Sequence, residues 1–143
     1  MRGFEVTLEA THHGPTSLQK PVLFIEIGSA AENWGDRRAA EVVSDALVES
    51  LHSASTWEKV GIGIGGNHYS EKFTRLLVEG DMSLAAVVPK YSLKDFDAEM
   101  LAQLLQKCNR FVKYGALDWK GLGSSKDKIT GLLEQFGLEM IRV

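Results

Sequence analysis

The sequence predicts an α/β domain, arranged as a three-layer α/β/α structure around a mostly parallel but mixed central sheet. Short β-rich runs alternate along the chain with segments of helical periodicity, an order typical of strands joined by crossover helices. Residues 22–27 and 84–88 are apolar almost throughout, as strands covered on both faces are. The length of 143 residues fits one domain over residues 1–143.

Six runs of apolar and β-branched residues are predicted to form the strands. They cover residues 5–9, 22–27, 59–64, 84–88, 111–117 and 138–143. The first two runs are joined by a loop with no helix, so they either pair as antiparallel neighbours or take separate places in the sheet. For this reason we expect the sheet to be mixed.

Four helices are expected between the strands, and each has a residue suited to starting it. The expected starts are Ser29 or Asp36, then Ser70, then Asp97, then Ser124 or Ser125. In the first helix, apolar residues recur every 3.6 positions between Ala39 and Leu51. Gly137 is expected to end the last helix, because glycine adopts the left-handed conformation found just beyond many helices.

Composition and charge favour a soluble cytoplasmic protein. Apolar stretches are too short to cross a membrane, which takes roughly 18 residues, and the first residues lack a signal-peptide core. The single cysteine, Cys108, lies in a helical pattern and is expected to be a buried thiol in a reducing compartment. The net charge of −3 gives little general attraction to a polyanion, so any nucleic-acid contact requires a local basic patch.

Three of the four histidines lie in loops that follow predicted strands. His12 and His13 precede a Gly-Pro turn, and His68 follows the sequence Gly65-Gly66-Asn67. Ligands of open α/β sheets bind beyond the carboxyl ends of the strands, so these imidazoles are expected to meet there. Imidazole serves as a general base near neutral pH, which makes all three histidines catalytic candidates. Alternatively, they are loop residues that only hydrogen-bond to backbone carbonyls.

The same histidines could hold a metal ion together with a carboxylate, since catalytic zinc accepts this mixture of nitrogen and oxygen ligands. The spacing matches no local zinc motif, so the choice of ligands stays open. The candidate metal ligands are His12, His13 and His68 with a carboxylate from Glu9, Glu26 or Asp118.

Polar, aromatic and glycine residues at the strand ends suit contact with a nucleic-acid 3′ end. Lysines there would contact phosphate, an aromatic ring would stack on an unpaired base, and glycines would let a nucleotide or a helix approach closely. The glycines lie within the strand pattern itself, which argues against a dinucleotide-binding loop. The candidate substrate-binding residues are Gly65, Gly66, Asn67, Lys90, Trp119 and Lys120.

Five phrases of the sequence, EATHHGPT, FIEIGS, GIGGNHY, VPKY and LDWKGL, closely resemble the archaeal and plant type of D-aminoacyl-tRNA deacylase. The resemblance implies a zinc-dependent enzyme that hydrolyses the ester between a D-amino acid and the 3′ end of tRNA. Members of this family carry a further N-terminal region of comparable size. The sequence is therefore expected to be either the C-terminal part of a longer enzyme or a short member.

Two other functions fit the same residues. In the first, the glycines and lysines position a tRNA end or a nucleotide, and the protein is a non-catalytic binding module. In the second, the protein is a metal-dependent amidohydrolase that acts on a small substrate.

Overall fold

The computed structural model describes residues 3–14, 17–28, 30–52, 58–80 and 82–143. The chain groups into two compact units, one made of residues 1–6 and 22–56 and the other of residues 7–21 and 57–143. The smaller unit contains the helices α1 (Ala31–Trp34) and α2 (Arg37–His52). The larger unit contains β1 (Lys59–Ile64), α3 (Glu71–Glu79), β2 (Met82–Val88), α4 (Ala98–Lys107), β3 (Tyr114–Leu117), α5 (Lys126–Gln135) and β4 (Glu139–Arg142).

The four strands of the larger unit form one sheet in the order β2-β1-β3-β4, and every pair of neighbours is parallel. The α/β class is thus confirmed, and the last four predicted strands are all present. The chain leaves β1 toward β2 through α3 and then returns past β1 to β3 through α4. The strand order therefore reverses between β1 and β3, and ligands of such sheets bind at the carboxyl ends beside this reversal.

Helices cover both faces of this sheet, as the expected three layers require. On one face, Ile62 and Leu117 belong to the same buried cluster as Leu101 of α4 and Leu133 of α5. On the other face, Phe73 of α3 packs in a second cluster with residues of β2 and β3. Gly63 has no side chain, so α3 can pack closely against this face of β1. A Cβ atom at Gly63 would lie 3.1 Å from the Phe73 ring.

The expected mixed sheet is not seen among the described residues. Residues 22–27 are not in a strand, and most of them are exposed. Residues 5–9 contribute only an isolated antiparallel bridge between Glu9 and Tyr69. An apolar run forms a strand only when another strand pairs with its backbone, and the run itself does not specify that partner.

Side-chain hydrogen bonds confirm three of the four predicted helix starts, whereas Ser125, the residue before α5, makes no such bond. The side chains of Asp36, Ser70 and Asp97 accept from the backbone N–H groups three residues ahead, at 3.0, 3.3 and 2.9 Å. Gly137 has a φ of +68° just beyond α5. Ser29, the other expected start of α2, lies outside the described residues. No helix in the described part of the chain is long and apolar enough to span a membrane.

Candidate active site

The loop after β1 is fixed to the exit of β2 by two backbone hydrogen bonds. Gly65 has a φ of +101°, and its N–H donates to the Val88 carbonyl at 2.9 Å. The Lys90 N–H in turn donates to the Gly66 carbonyl at 2.8 Å. A Cβ atom at Gly66 would lie 2.6 Å from the Ser70 hydroxyl, so this position requires glycine. Both glycines are buried, and they shape the loop that carries His68.

The segment that carries Glu9 runs alongside this loop. Glu9 forms the antiparallel bridge with Tyr69, and the Ala10 N–H donates to the His68 carbonyl at 2.9 Å. The Leu8 N–H donates to the hydroxyl of Thr74 on α3 at 2.9 Å. These backbone contacts bring the Glu9 carboxylate to the side chain of His68.

One carboxylate and two imidazoles meet at this place. Oε1 of Glu9 lies 2.8 Å from Nε2 of His68 and 3.4 Å from Nδ1 of His12. The two imidazole rings have centroids 4.6 Å apart. The side chains of Glu9, His68 and His12 are 34%, 33% and 47% exposed, so the cluster is anchored in the structure and still reachable from solvent.

The donor atoms of Glu9, His12 and His68 suit a metal ion. Each residue offers one ligand atom, and the three atoms all lie within 4.8 Å of one another. Bonds of about 2.1 Å around a tetrahedral zinc place neighbouring ligand atoms roughly 3.4 Å apart. The two distances from Glu9, 2.8 and 3.4 Å, are close to this separation. Two nitrogens and one carboxylate oxygen also form a donor set known for catalytic zinc.

The other predicted metal ligands have different surroundings. His13 contacts the edge of the His12 ring, with centroids 4.9 Å apart, and its Nδ1 lies 3.4 Å from the Gly14 carbonyl. Glu26 belongs to the smaller unit and is exposed. Of the described residues, only Glu9, His12 and His68 form a group with metal-ligand spacing.

Asp118 is paired with a lysine that the sequence did not single out. Its Oδ1 accepts from Lys72 Nζ at 2.8 Å and from the Gly121 N–H at 3.3 Å. Lys72 also donates to the Val143 carbonyl at 2.7 Å. Asp118 therefore stabilises the turn after β3 through Gly121. It also forms an ion pair with Lys72, which lies on α3, 46 residues away in the sequence.

Trp119 is covered by cations. The Arg142 guanidinium lies 3.8 Å from the centroid of its ring, and Lys126 Nζ lies 5.5 Å from it. The indole also packs against the buried cluster. Trp119 therefore anchors the carboxyl end of β3 through cation–π contacts, and a base that stacked on the Arg142 side would first have to displace the guanidinium.

The remaining predicted contacts lie on the surface at the same edge of the sheet. Asn67, Lys90 and Lys120 are exposed and follow β1, β2 and β3. Tyr91, next to Lys90, is 50% exposed and places its hydroxyl oxygen 3.4 Å from Nδ1 of His68. No sequence pattern predicts this contact between Tyr91 and His68, which are 23 residues apart.

The parallel sheet places this protein in the α/β class, whose ligand sites lie at the carboxyl ends of the strands. Its carboxylate and imidazole groups lie beside those ends. Comparison with known proteins then gives the family. The sequence model of the D-aminoacyl-tRNA deacylase family matches residues 1–141, and the chain belongs to that family.

Individual relatives agree with this assignment. The D-aminoacyl-tRNA deacylase of Cenarchaeum symbiosum is 39% identical over 139 residues, covering 97% of this chain and 54% of the relative. That of Pyrococcus furiosus is 37% identical over 141 residues, covering 98% and 52%. A crystal structure described as a conserved protein of unknown function has a TM-score of 0.88 and 33% identity, covering 97% of this chain and 49% of the other. The chain spans about half the length of the curated relatives it matches.

Proposed function

We propose that this protein hydrolyses the ester that joins a D-amino acid to the 3′ end of tRNA. The observation that carries the proposal is the meeting of Glu9, His12 and His68 beside the strand ends, in a chain that belongs to the deacylase family. Ester hydrolysis requires a base that activates water and an acid that protonates the leaving alcohol. A pair of imidazoles held by a carboxylate supplies both.

The Glu9–His68 pair sets the chemistry of the imidazole. A carboxylate only accepts hydrogen bonds, so the 2.8 Å contact holds the proton of neutral His68 on Nε2. Nδ1 is then the basic nitrogen. In the reaction, water gives a proton to Nδ1 and its oxygen bonds to the ester carbon. The bond from that carbon to the ribose oxygen then breaks, and His68 returns the proton to this oxygen.

We propose zinc as the ion that Glu9, His12 and His68 hold. The nitrogen and oxygen donors and their separations support this choice. A bound zinc ion would supply Lewis-acid assistance to the activation of water. In the metal-bound form the proton of His68 would lie on Nδ1, so the role of Nδ1 as the base belongs to the metal-free protein.

The substrate side of the proposal rests on the exposed edge of the sheet. Lys90 and Lys120 would contact tRNA phosphate, and Asn67 would contact the terminal nucleotide. With a net charge of −3, the whole chain attracts tRNA weakly, so these local contacts carry the binding. We expect the protein to act in the cytoplasm, where tRNA is charged.

The proposal is tested by incubating the protein with D-tyrosyl-tRNA and L-tyrosyl-tRNA in parallel. Rapid loss of the D-ester and persistence of the L-ester support it. If neither ester is lost while tRNA still binds, the protein is a binding module instead.

A further inference from the structure

Tyr91 lies on the side of His68 opposite to Glu9. It is the second residue of a 3-10 turn, Lys90–Ser92, that begins directly after Pro89 at the end of β2. The hydrogen bond from the Lys90 N–H to the Gly66 carbonyl fixes this turn to the loop that carries His68. The phenol oxygen of Tyr91 thereby comes to 3.4 Å from Nδ1 of His68.

The two nitrogens of His68 face different partners. Nε2 is 2.8 Å from the Glu9 carboxylate, which accepts its proton in a hydrogen bond. Nδ1 is then an acceptor, and a phenol O–H is a donor suited to it. Contacts at both nitrogens define the rotation of the imidazole about its Cβ–Cγ bond, whereas Glu9 alone would fix only one side of the ring.

We propose that Tyr91 is a positioning residue, which holds His68 so that Nδ1 faces the water to be activated. The proposal rests on the deacylase activity proposed above. The distance of 3.4 Å is long for a hydrogen bond, and catalytic hydrogen bonds often tighten only when substrate is bound. During turnover the phenol keeps its own proton, and its O–H turns from Nδ1 toward the water that gives its proton to His68.

The same contact remains useful if Nε2 is a metal ligand. Histidine ligands generally donate their other N–H to a nearby oxygen, which fixes the orientation of the ring. The Tyr91 oxygen is placed to accept from Nδ1–H in that form.

A second tyrosine beside His68 provides a matched control. Tyr69 is 52% exposed and Tyr91 is 50% exposed. The Tyr69 ring packs edge-on against His68, with centroids 4.8 Å apart, whereas the Tyr91 ring centroid is 6.5 Å away. Tyr69 therefore contacts the imidazole through its ring and Tyr91 through its hydroxyl. A phenylalanine at position 91 removes the hydroxyl contact with His68, whereas a phenylalanine at position 69 keeps the ring contact.

The experiment compares the wild-type protein with Tyr91→Phe and Tyr69→Phe. For Tyr91→Phe we expect kcat for D-tyrosyl-tRNA to fall about five- to tenfold, as loss of one modest hydrogen bond predicts, with KM changed less than about twofold. For Tyr69→Phe, which keeps the ring that packs against His68, we expect kcat to fall clearly less than in Tyr91→Phe. A wild-type kcat in Tyr91→Phe, or equal losses in the two variants, would overturn the proposal.

A second measurement does not depend on activity. The protein is labelled with ¹⁵N and treated with chelator, and the Nδ1 resonance of His68 is assigned by its loss in His68→Ala. In Tyr91→Phe this resonance should move toward the position of a nitrogen without a hydrogen bond. It should not move in Tyr69→Phe. An unmoved resonance in Tyr91→Phe contradicts the contact. Failure of the wild type to release D-tyrosine contradicts the deacylase activity instead, so the two failures are distinct.

Discussion

Glu9 Oε1 lies 2.8 Å from His68 Nε2, although 59 residues separate the two along the chain. The contact depends on two segments that run side by side, joined by the Glu9–Tyr69 bridge and the bond between Ala10 and His68. The contact favours the tautomer of neutral His68 in which Nε2 carries the proton and Nδ1 is the basic nitrogen.

Replacement of His68 by alanine should lower turnover of D-aminoacyl-tRNA by about 10²-fold or more, the range for loss of a positioned acid–base group. The control is His52→Ala, because His52 is exposed on α2 and its Nδ1 lies 2.7 Å from the Val48 carbonyl of the same helix. The measurement is the rate of D-tyrosine release by folded protein. Turnover of His68→Ala close to that of His52→Ala would remove His68 from the mechanism.

Replacement of Glu9 by glutamine should lower kcat by about 10²-fold, because an amide no longer holds the imidazole in one tautomer and does not stabilise its cation. The matched control is Glu99→Gln, an exposed acidic residue in the first turn of α4. Circular dichroism should show the same fold for both variants. A kcat for Glu9→Gln equal to that of Glu99→Gln would show that the 2.8 Å contact has no catalytic role.

Replacement of His12 and replacement of His13 should have different effects on zinc content. If zinc binds to the group formed by Glu9, His12 and His68, elemental analysis of protein purified without chelators should find about one zinc per chain, as one site in each molecule requires. His12→Ala should lose it and His13→Ala should keep it, because the His13 side chain is outside the group. Equal retention by the two variants would place the metal elsewhere. Full activity of metal-free protein would exclude the zinc role and leave direct catalysis by His68.

Lys120→Ala should weaken tRNA binding and reduce the steepness of the dependence of log affinity on log salt by roughly one unit or less, as loss of one phosphate contact does. The control is Lys107→Ala, since Lys107 ends α4 and is also exposed. Turnover at saturating tRNA should change little in either variant. If the two variants give the same salt dependence as wild type, Lys120 is an ordinary surface charge.

Two glycine substitutions should have opposite effects on stability. A Cβ atom at Gly121 would collide with the carbonyl oxygen of Gly65, in the contact between the loops after β1 and β3. We expect Gly121→Ala to lower the free energy of unfolding by about 2 kcal/mol or more. Gly131 lies within α5 with open space around it, so Gly131→Ala should raise that free energy by about 0.5–1 kcal/mol. Denaturant titration measures both, and a neutral Gly121→Ala would contradict the close approach.

The sequence predicted most of the sheet because its signals are local. The predicted strand at residues 59–64 has the same bounds as β1, and Asp97 and Gly137 mark the ends of their helices as expected. Residues 22–27 were predicted wrongly as a strand, since an apolar run by itself does not show whether a partner strand lies beside it. Local patterns predict which residues suit a strand, but not which strands pair.

The sequence predicted which types of residue form the site, but not which individual side chains meet there. Histidines in loops after predicted strands made His12, His13 and His68 candidates, and Glu9 was one of three carboxylates that could join them. The choice of Glu9 over Asp118 depends on tertiary contacts. Asp118 meets Lys72 across 46 residues, and no spacing rule predicts an ion pair between a loop and a distant helix.

The central claim is tested most directly by single-turnover hydrolysis of D-tyrosyl-tRNA and L-tyrosyl-tRNA with excess protein, using His68→Ala as the blank. The account predicts that wild-type protein releases D-tyrosine far faster than the blank, while L-tyrosyl-tRNA decays at the rate of the blank. Release of D-tyrosine at the same rate by wild type and His68→Ala would contradict it.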